Sequence, residues 1–340
     1  MKKVVVEAPS NLAFVKYWGK INSELNIPYN SSISVNLSNA KTTTTIQFDE
    51  DLKEDEVVNA SGKTSASFSF RITNHLNRIR SIAKVDTKAR VFTQNTFPTG
   101  VGIASSASGF AALTLASITA LDLKLSEKEL SSLSRLGSGS ACRSIPNGFV
   151  EWRAGSDNDT SYAVSIAQPN YWDISILSVV VTKKEKEYSS TDGHALSLNS
   201  PFFEARMKQL PERLNTVRKA ILEKDFDAFG REIEIEAISM HSIAMTAQSQ
   251  NMKSWISGIY YWIPETLELI KEVQKWRSEG LRLYFTLDAG PTVHLVCETN
   301  NMSQVKSAID ALEKKASNRT WDTLINFPTL GARVLKVEPS

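Results

Sequence analysis

The chain has 340 residues, enough for two domains, and a net charge of only +2 from 39 basic and 37 acidic side chains. That balance excludes a global pull toward nucleic acid or an anionic membrane, so any anion binding has to be local. No apolar run reaches the roughly 18 residues of a membrane span, and Cys142 and Cys297 lie far apart in no metal-ligand spacing, so a cytoplasmic protein with free thiols is expected.

The opening Met-Lys-Lys-Val-Val-Val-Glu is too short in apolar residues for a signal-peptide core, and residues 3–6 read as a short strand. In Lys16-Tyr-Trp-Gly-Lys20 two lysines flank aromatics beside a glycine. That can hold an anion against an apolar wall, or simply form a surface turn with snorkelling lysines. Residues 31–48 have alternating strand composition, 49–64 suggest an acidic hairpin loop, and 69–83 have helical spacing through Phe70, Ile72, Leu76 and Ile79.

The most unusual stretch is Phe97-Pro-Thr-Gly-Val-Gly102-Ile-Ala-Ser105-Ser106-Ala-Ser108-Gly109-Phe110, three glycines and three serines running into a helical pattern. Glycines that admit close approach, followed by the unpaired N–H groups of a helix start, make a phosphate cradle. No Gly-Lys-Ser/Thr follows, so it is not a Walker A loop, and Ser105 breaks the dinucleotide fingerprint. A serine-rich start to a buried helix reads equally well from these residues alone.

A helix at 126–135 opens on a capping box, Ser126 with Glu129. Gly137-Ser138-Gly-Ser140-Ala-Cys-Arg143 then sets small hydroxyl residues around one arginine, which suits a carboxylate or phosphate, or a tight helix-to-strand turn. Strands are predicted at 147–152, 162–167 and 173–182, and the charged run 183–187 marks a boundary between domains 1–184 and 185–340. Helices follow at 201–223, where Pro211 kinks or starts one, at 225–247, and at 264–279, which opens on Pro264. Strands at 281–287 and 293–297 flank Asp288-Ala-Gly-Pro291, and a helix at 303–314 and a strand at 333–337 complete an α+β chain without regular β-α alternation. Asp288 either caps its turn or projects a carboxylate into a cleft. His75, His194, His241 and His294 are scattered without a metal or triad spacing, so Asp288 is the candidate general base.

Together these stretches resemble the diphosphomevalonate decarboxylase family of the GHMP kinase superfamily. The resemblance runs in order through Ala8 to Lys20, Phe97-Pro-Thr, Gly102 to Leu113, Gly137 to Ser144, Gly148 to Trp152, Ser189 to Gly193, Met240-His241 and Tyr284 to Pro291. Ala104 stands where the superfamily's kinases usually carry glycine, as in the decarboxylases. Departures are Ile145 to Gly148, Thr292 in place of asparagine, Gly100-Val101 in place of Ala-Ala, and a longer polar segment over 249–261; none removes a charged site residue.

The resemblance implies the two-domain GHMP kinase fold: an N-terminal ribosomal S5 domain 2-like domain, a C-terminal ferredoxin-like domain carrying Asp288, and the active-site cleft between them. It implies ATP-dependent decarboxylation of mevalonate 5-diphosphate to isopentenyl diphosphate in isoprenoid biosynthesis, with ATP as co-substrate, Mg2+, and a cytoplasmic homodimer. By the same resemblance Asp288 orients or deprotonates the substrate's 3-hydroxyl, Lys16 tunes its charge, and Arg143 with Ser138 and Ser140 holds the substrate carboxylate. Tyr17, Lys20, Ser190 and Thr191 grip the diphosphate, Gly102, Ser105 and Ser106 cradle the ATP phosphates, and no residue is assigned as a metal ligand. Retention of Lys20, Tyr17 and Ser190 favours a diphosphate substrate over a 3-kinase or a monophosphate decarboxylase. Retention of Asp288, Lys16, Arg143 and Ser105-Ser106 favours an enzyme over a non-catalytic homologue.

Overall fold

Extended backbone does not stop at residue 6: small and apolar side chains carry the first strand, β1, from Lys3 to Val15. This computed structural model describes residues 2–60, 62, 64–97, 105–184, 186–249, 258–315 and 320–339. After β1 come the short strands β2 (Lys20–Asn22) and β3 (Ile27–Pro28), then the long β4 (Ser32–Asp49). β1 and β4 pair antiparallel from Lys3↔Gln47 to Val15↔Ile33, with register shifts between Pro9 and Asn11 and between Ala13 and Val15. A bulge beside Pro9 is where a residue without an N–H donor is tolerated inside a sheet.

The acidic segment is not a plain hairpin loop. It contains β5 (Glu56–Asn59), which leads through α1 (Ala66–Ala83) to β6 (Lys88–Asn95). β5 pairs parallel with β6, and β6 antiparallel with β4, so a helical crossover replaces the expected turn. α2 (Ser105–Ala120) and α3 (Glu127–Gly137) follow, the latter with the Ser126–Glu129 capping box in place. β7 (Phe149–Arg153) and β8 (Tyr162–Ala167) extend this sheet. Val4, Val6, Ile46 and Phe48 of the sheet pack against Ile72 and Leu76 of α1, Phe110 and Leu113 of α2, and Leu130 and Leu133 of α3, one helical layer on one face.

β9 (Ile174–Val180) is buried along its whole length, as expected of a central strand. It is followed by α4 (Ser190–Leu196), α5 (Phe203–Glu223), α6 (Phe226–Thr246) and α7 (Pro264–Ser278); Pro211 lies inside α5. β10 (Leu283–Thr286), β11 (Val293–Glu298), α8 (Met302–Lys314), β12 (Asp322–Asn326) and β13 (Arg333–Glu338) end the chain order. The second sheet runs β10-β11-β9-β12 and is antiparallel throughout. β9 thus joins the second sheet ahead of the charged run 183–187, and β13 returns to pair with β1. The sheets therefore do not divide at residue 184.

Leu210, Leu214 and Val217 of α5 and Phe229 and Ile233 of α6 share one core with Phe14, Val35 and Phe149 of the first sheet and Ile174, Ile176 and Val296 of the second. This core fixes the position of β1's end against the turn after β10. Among the described residues no helix is long and apolar enough to cross a membrane.

Candidate active site

Where β1 ends, Lys16 is clamped by its backbone. Its N–H donates to Glu236 Oε1 at 3.0 Å, and its carbonyl accepts from Asn30 Nδ2 at 2.8 Å and Arg206 Nη2 at 3.1 Å. Its side chain, 3% exposed, donates from Nζ to Asp288 Oδ1 at 2.7 Å and to the Ala13 carbonyl. Asp288 sits just past β10. Its backbone carbonyl accepts from Gly290 N–H at 2.8 Å and bonds His241 Nε2 at 3.1 Å, so the backbone closes the turn. The carboxylate is left for Lys16 and for the cleft, 21% exposed. Burial opposes the charge on Asp288, but Lys16, His294 and Arg143 outweigh it and hold the carboxyl below its usual range. Burial lowers the pKa of Lys16 against the pull of Asp288 and Glu236.

Arg143 lies in a 3-10 turn, Gly139–Ser144, directly after α3. Its Nε donates to Asn11 Oδ1 at 3.0 Å and its Nη1 to Ser32 Oγ at 2.7 Å, while Asn11 is itself held through Ser144 Oγ at 2.8 Å and the Ser140 carbonyl at 3.1 Å. The guanidinium lies over Trp152, and among the described residues its Nη2 has no partner. Gly139 is required here: a Cβ would come within 2.7 Å of the Tyr17 ring. The buried Tyr17 hydroxyl has no partner among the described residues.

Lys16, Tyr17, Lys20, Ser105, Ser106, Ser138, Ser140, Arg143, Ser190, Thr191 and Asp288, distant in sequence, line one cavity of about 720 Å³. Lys20 donates to Asn26 Oδ1 at 2.7 Å, and Asn26 anchors to the Arg135 carbonyl at 2.9 Å. Ser106 and Ser138 hydroxyls are 3.2 Å apart. Ser190 and Thr191 form the first turn of α4, whose Ser189–Asp192 capping box is present. Ser108, by contrast, is fully buried and spends its hydroxyl on Thr42 at 2.6 Å and the Ser105 carbonyl at 3.2 Å. Gly102 and Ala104 lie outside the described residues. A second cavity, about 580 Å³, shares Arg71, Ser105 and Ser106 and runs between α1, α2 and β6, lined by Phe68, Ile72, Val91, Phe110 and Leu113.

Arg71, Lys186, His194 and Asn26 are among the lining residues absent from the sequence reading of the site. Arg71 lies on the helix face of α1, and Lys186 belongs to the charged run, where it donates to the Ala289 carbonyl at 2.6 Å. His194 follows the Ser189–Gly193 motif, and Asn26 precedes β3. The histidines are also less scattered than their spacing suggests, because His194 lines the cavity, His241 bonds the Asp288 carbonyl and His294 acts on the Asp288 charge.

Among the described residues that line the cavity, five cations, Lys16, Lys20, Arg71, Arg143 and Lys186, thus face one carboxylate, Asp288. Burial lowers the pKa of all five, a cost that a bound polyanion relieves. Cations, hydroxyls and one ionised carboxylate suit phosphoryl transfer, which depends mainly on positioning and charge stabilisation. Among the described residues no group of three His, Cys, Asp or Glu side chains could hold a metal. The hydroxyls of Ser105, Ser106 and Ser138 are hard oxygen donors beside the cations, a set that fits a magnesium ion carried largely by phosphates.

Residues 8–163 match the family model of the diphosphomevalonate decarboxylase-like N-terminal domain, and 176–329 that of the mevalonate 5-diphosphate decarboxylase C-terminal domain. The gap between them falls where the chain changes sheet. A diphosphomevalonate decarboxylase of Debaryomyces hansenii is 33% identical, over 93% of this chain and 84% of its own. A phosphomevalonate decarboxylase of Haloferax volcanii is 30% identical, over 90% of this chain and 92% of its own. A solved structure holding MVAPP, AMPPCP and magnesium aligns with a TM-score of 0.89 at 34% identity, covering 99% of this chain and 100% of its own.

Proposed function

The chain belongs to the diphosphomevalonate decarboxylase family, and we infer that it converts mevalonate 5-diphosphate and ATP to isopentenyl diphosphate, CO2, ADP and phosphate. The observation that carries this reading is the Lys16–Asp288 pair set beside Arg143 in a cavity of five cations. Hydroxide is a poor leaving group from the tertiary C3, so its oxygen is phosphorylated first. Asp288, held ionised, orients the 3-hydroxyl and accepts its proton as the γ-phosphoryl passes from ATP to that oxygen. Lys16 keeps Asp288 charged and in place. The C3–O bond then breaks, phosphate leaves with the electron pair, and positive charge develops at C3. The bond between C2 and the carboxylate supplies the electrons of the new double bond, releasing CO2.

Arg143 Nη2, with the hydroxyls of Ser138 and Ser140, holds the substrate carboxylate beside that developing charge. Tyr17, Lys20, Ser190 and Thr191 take the 5-diphosphate. Ser105 and Ser106 take the ATP phosphates, with Lys186 and Arg71 as further counter-charges, and the second cavity takes the nucleoside. Magnesium, when bound, neutralises phosphate charge at these hydroxyls. The enzyme acts in the cytoplasm as a homodimer.

The Haloferax relative supports a second reading, in which the substrate is the 5-monophosphate. Incubation with ATP and each of mevalonate, its 5-phosphate and its 5-diphosphate, with products identified, tests both. Isopentenyl diphosphate and CO2 from the diphosphate are expected. A 3-phosphorylated product without CO2, or turnover of the monophosphate alone, overturns the assignment.

A further inference from the structure

His194 has no metal or triad partner in the sequence, yet the fold carries it to the cation-rich wall of the cavity. It lies four residues after Ser190 on α4, the spacing that puts two side chains on one helix face. Its ring packs between Tyr17, at a centroid distance of 4.1 Å, and Trp18, at 4.8 Å. The Gly19 N–H donates to His194 Nδ1 at 3.0 Å. A ring nitrogen that accepts a hydrogen bond carries a lone pair, so the imidazole proton sits on Nε2.

The turn that aims this N–H requires glycine. Its φ of 92° lies in the left-handed region. A Cβ there would meet Ser197 Oγ at 3.0 Å and Phe203 at 3.2 Å. Ring position, tautomer and turn therefore support one another. The charged groups acting most on His194 are Lys20, Arg143, Lys186 and Arg206; Asp288 is not among them. Together with burial, these cations keep the imidazole neutral at physiological pH. Protonating Nδ1 would also set two donors, Gly19 N–H and Nδ1–H, against each other.

We propose that His194 is a neutral donor, locked in one tautomer, whose Nε2–H binds the terminal phosphate of the substrate's 5-diphosphate and favours it over a 5-monophosphate. The proposal rests on the substrate reading above. A neutral donor suits this wall: a further cation would repel Lys20 and Lys186, whereas a neutral N–H adds a hydrogen bond to a charged oxygen without that repulsion.

Two substitutions separate this role from a bracing role. His194→Asn keeps an acceptor near the Nδ1 position for Gly19 but has nothing at Nε2. His194→Gln places an amide N–H near Nε2 and gives up the Gly19 bond. Steady-state KM is measured for mevalonate 5-diphosphate, mevalonate 5-phosphate and ATP, and is independent of the fraction of enzyme that is folded. For His194→Asn, KM for the diphosphate is expected to rise on the order of tenfold, the lower end for losing a hydrogen bond to a charged group. KM for the monophosphate and for ATP should stay near the parent values, and His194→Gln should recover part of the loss. Parent-like diphosphate KM in His194→Asn, or equal rises for both phosphates, overturns the role of His194 alone. A parent enzyme that turns over only the monophosphate overturns the substrate reading and this proposal with it.

Discussion

Asp288 is ionised because its electrostatic neighbours, led by Lys16 at 2.7 Å, outweigh its burial. Its folded pKa is lowered, so the stability it contributes is complete above the unfolded value of about 3.9 and is lost as pH falls through the folded value. Between pH 5 and 8 its charge should not change, and kcat/KM should show no acidic limb from it. In Lys16→Met the largest lowering influence is gone while burial remains. The acidic limb, which lies below pH 5 in the parent, should then move upward in pH, and an unmoved limb would show that Lys16 does not tune Asp288. Asp288→Ala should lower kcat by about 10²–10⁴, the worth of a general base, while ATP binding stays measurable by calorimetry. Asp288, Lys16 and Arg143 were legible in the sequence because each sits in a short stretch unlike a plain core. Lys186 and Arg71 were not, since a lysine in a charged run and an arginine on a helix look solvated until the fold places them in the cavity. Nor does spacing show that Lys16 meets Asp288, 272 positions away.

At the scale of elements, the end of β1 is held by α5 and α6. Glu236 on α6 accepts from Lys16 N–H, Arg206 and Arg213, all buried, and Arg206 returns a bond to the Lys16 carbonyl. Removing Glu236 leaves the buried Arg206 with no carboxylate partner among the described residues and Arg213 with Glu232 alone. Glu236→Ala should therefore destabilise the fold by roughly 3–5 kcal/mol, read from the denaturant midpoint. A loss below about 1 kcal/mol would mean that water replaces the carboxylate there. Periodicity made β4, α1, α3 and α6 legible, each having one regular face or a cap. β5 and β12 escaped it because they are short and only partly buried, and β6 because the exposed Phe92 directly after Val91 hides its alternation. The extension of β1 to Val15 escaped for another reason: its second half is buried on both faces and does not alternate.

For the whole molecule, a core shared between the two sheets and α5 and α6 sets the β1 end against the β10–β11 turn, and two cavities meet at Ser105 and Ser106. A chain with net charge +2 gathers there, among the described residues, five cations around one carboxylate. Association of the polyanionic substrates should accordingly weaken with ionic strength, KM rising between 0.05 and about 0.5 M salt while kcat changes little. Such concentration of charge is a property of the assembled fold and is invisible in the summed composition. The most direct test of the proposed reaction follows the carboxylate carbon itself. Mevalonate 5-diphosphate labelled with 13C at C1 is mixed with enzyme, ATP and magnesium, and label and phosphate are followed together. Labelled CO2, isopentenyl diphosphate, ADP and phosphate should appear in equal amounts. ADP formed with the label retained in a 3-phosphorylated acid would contradict it.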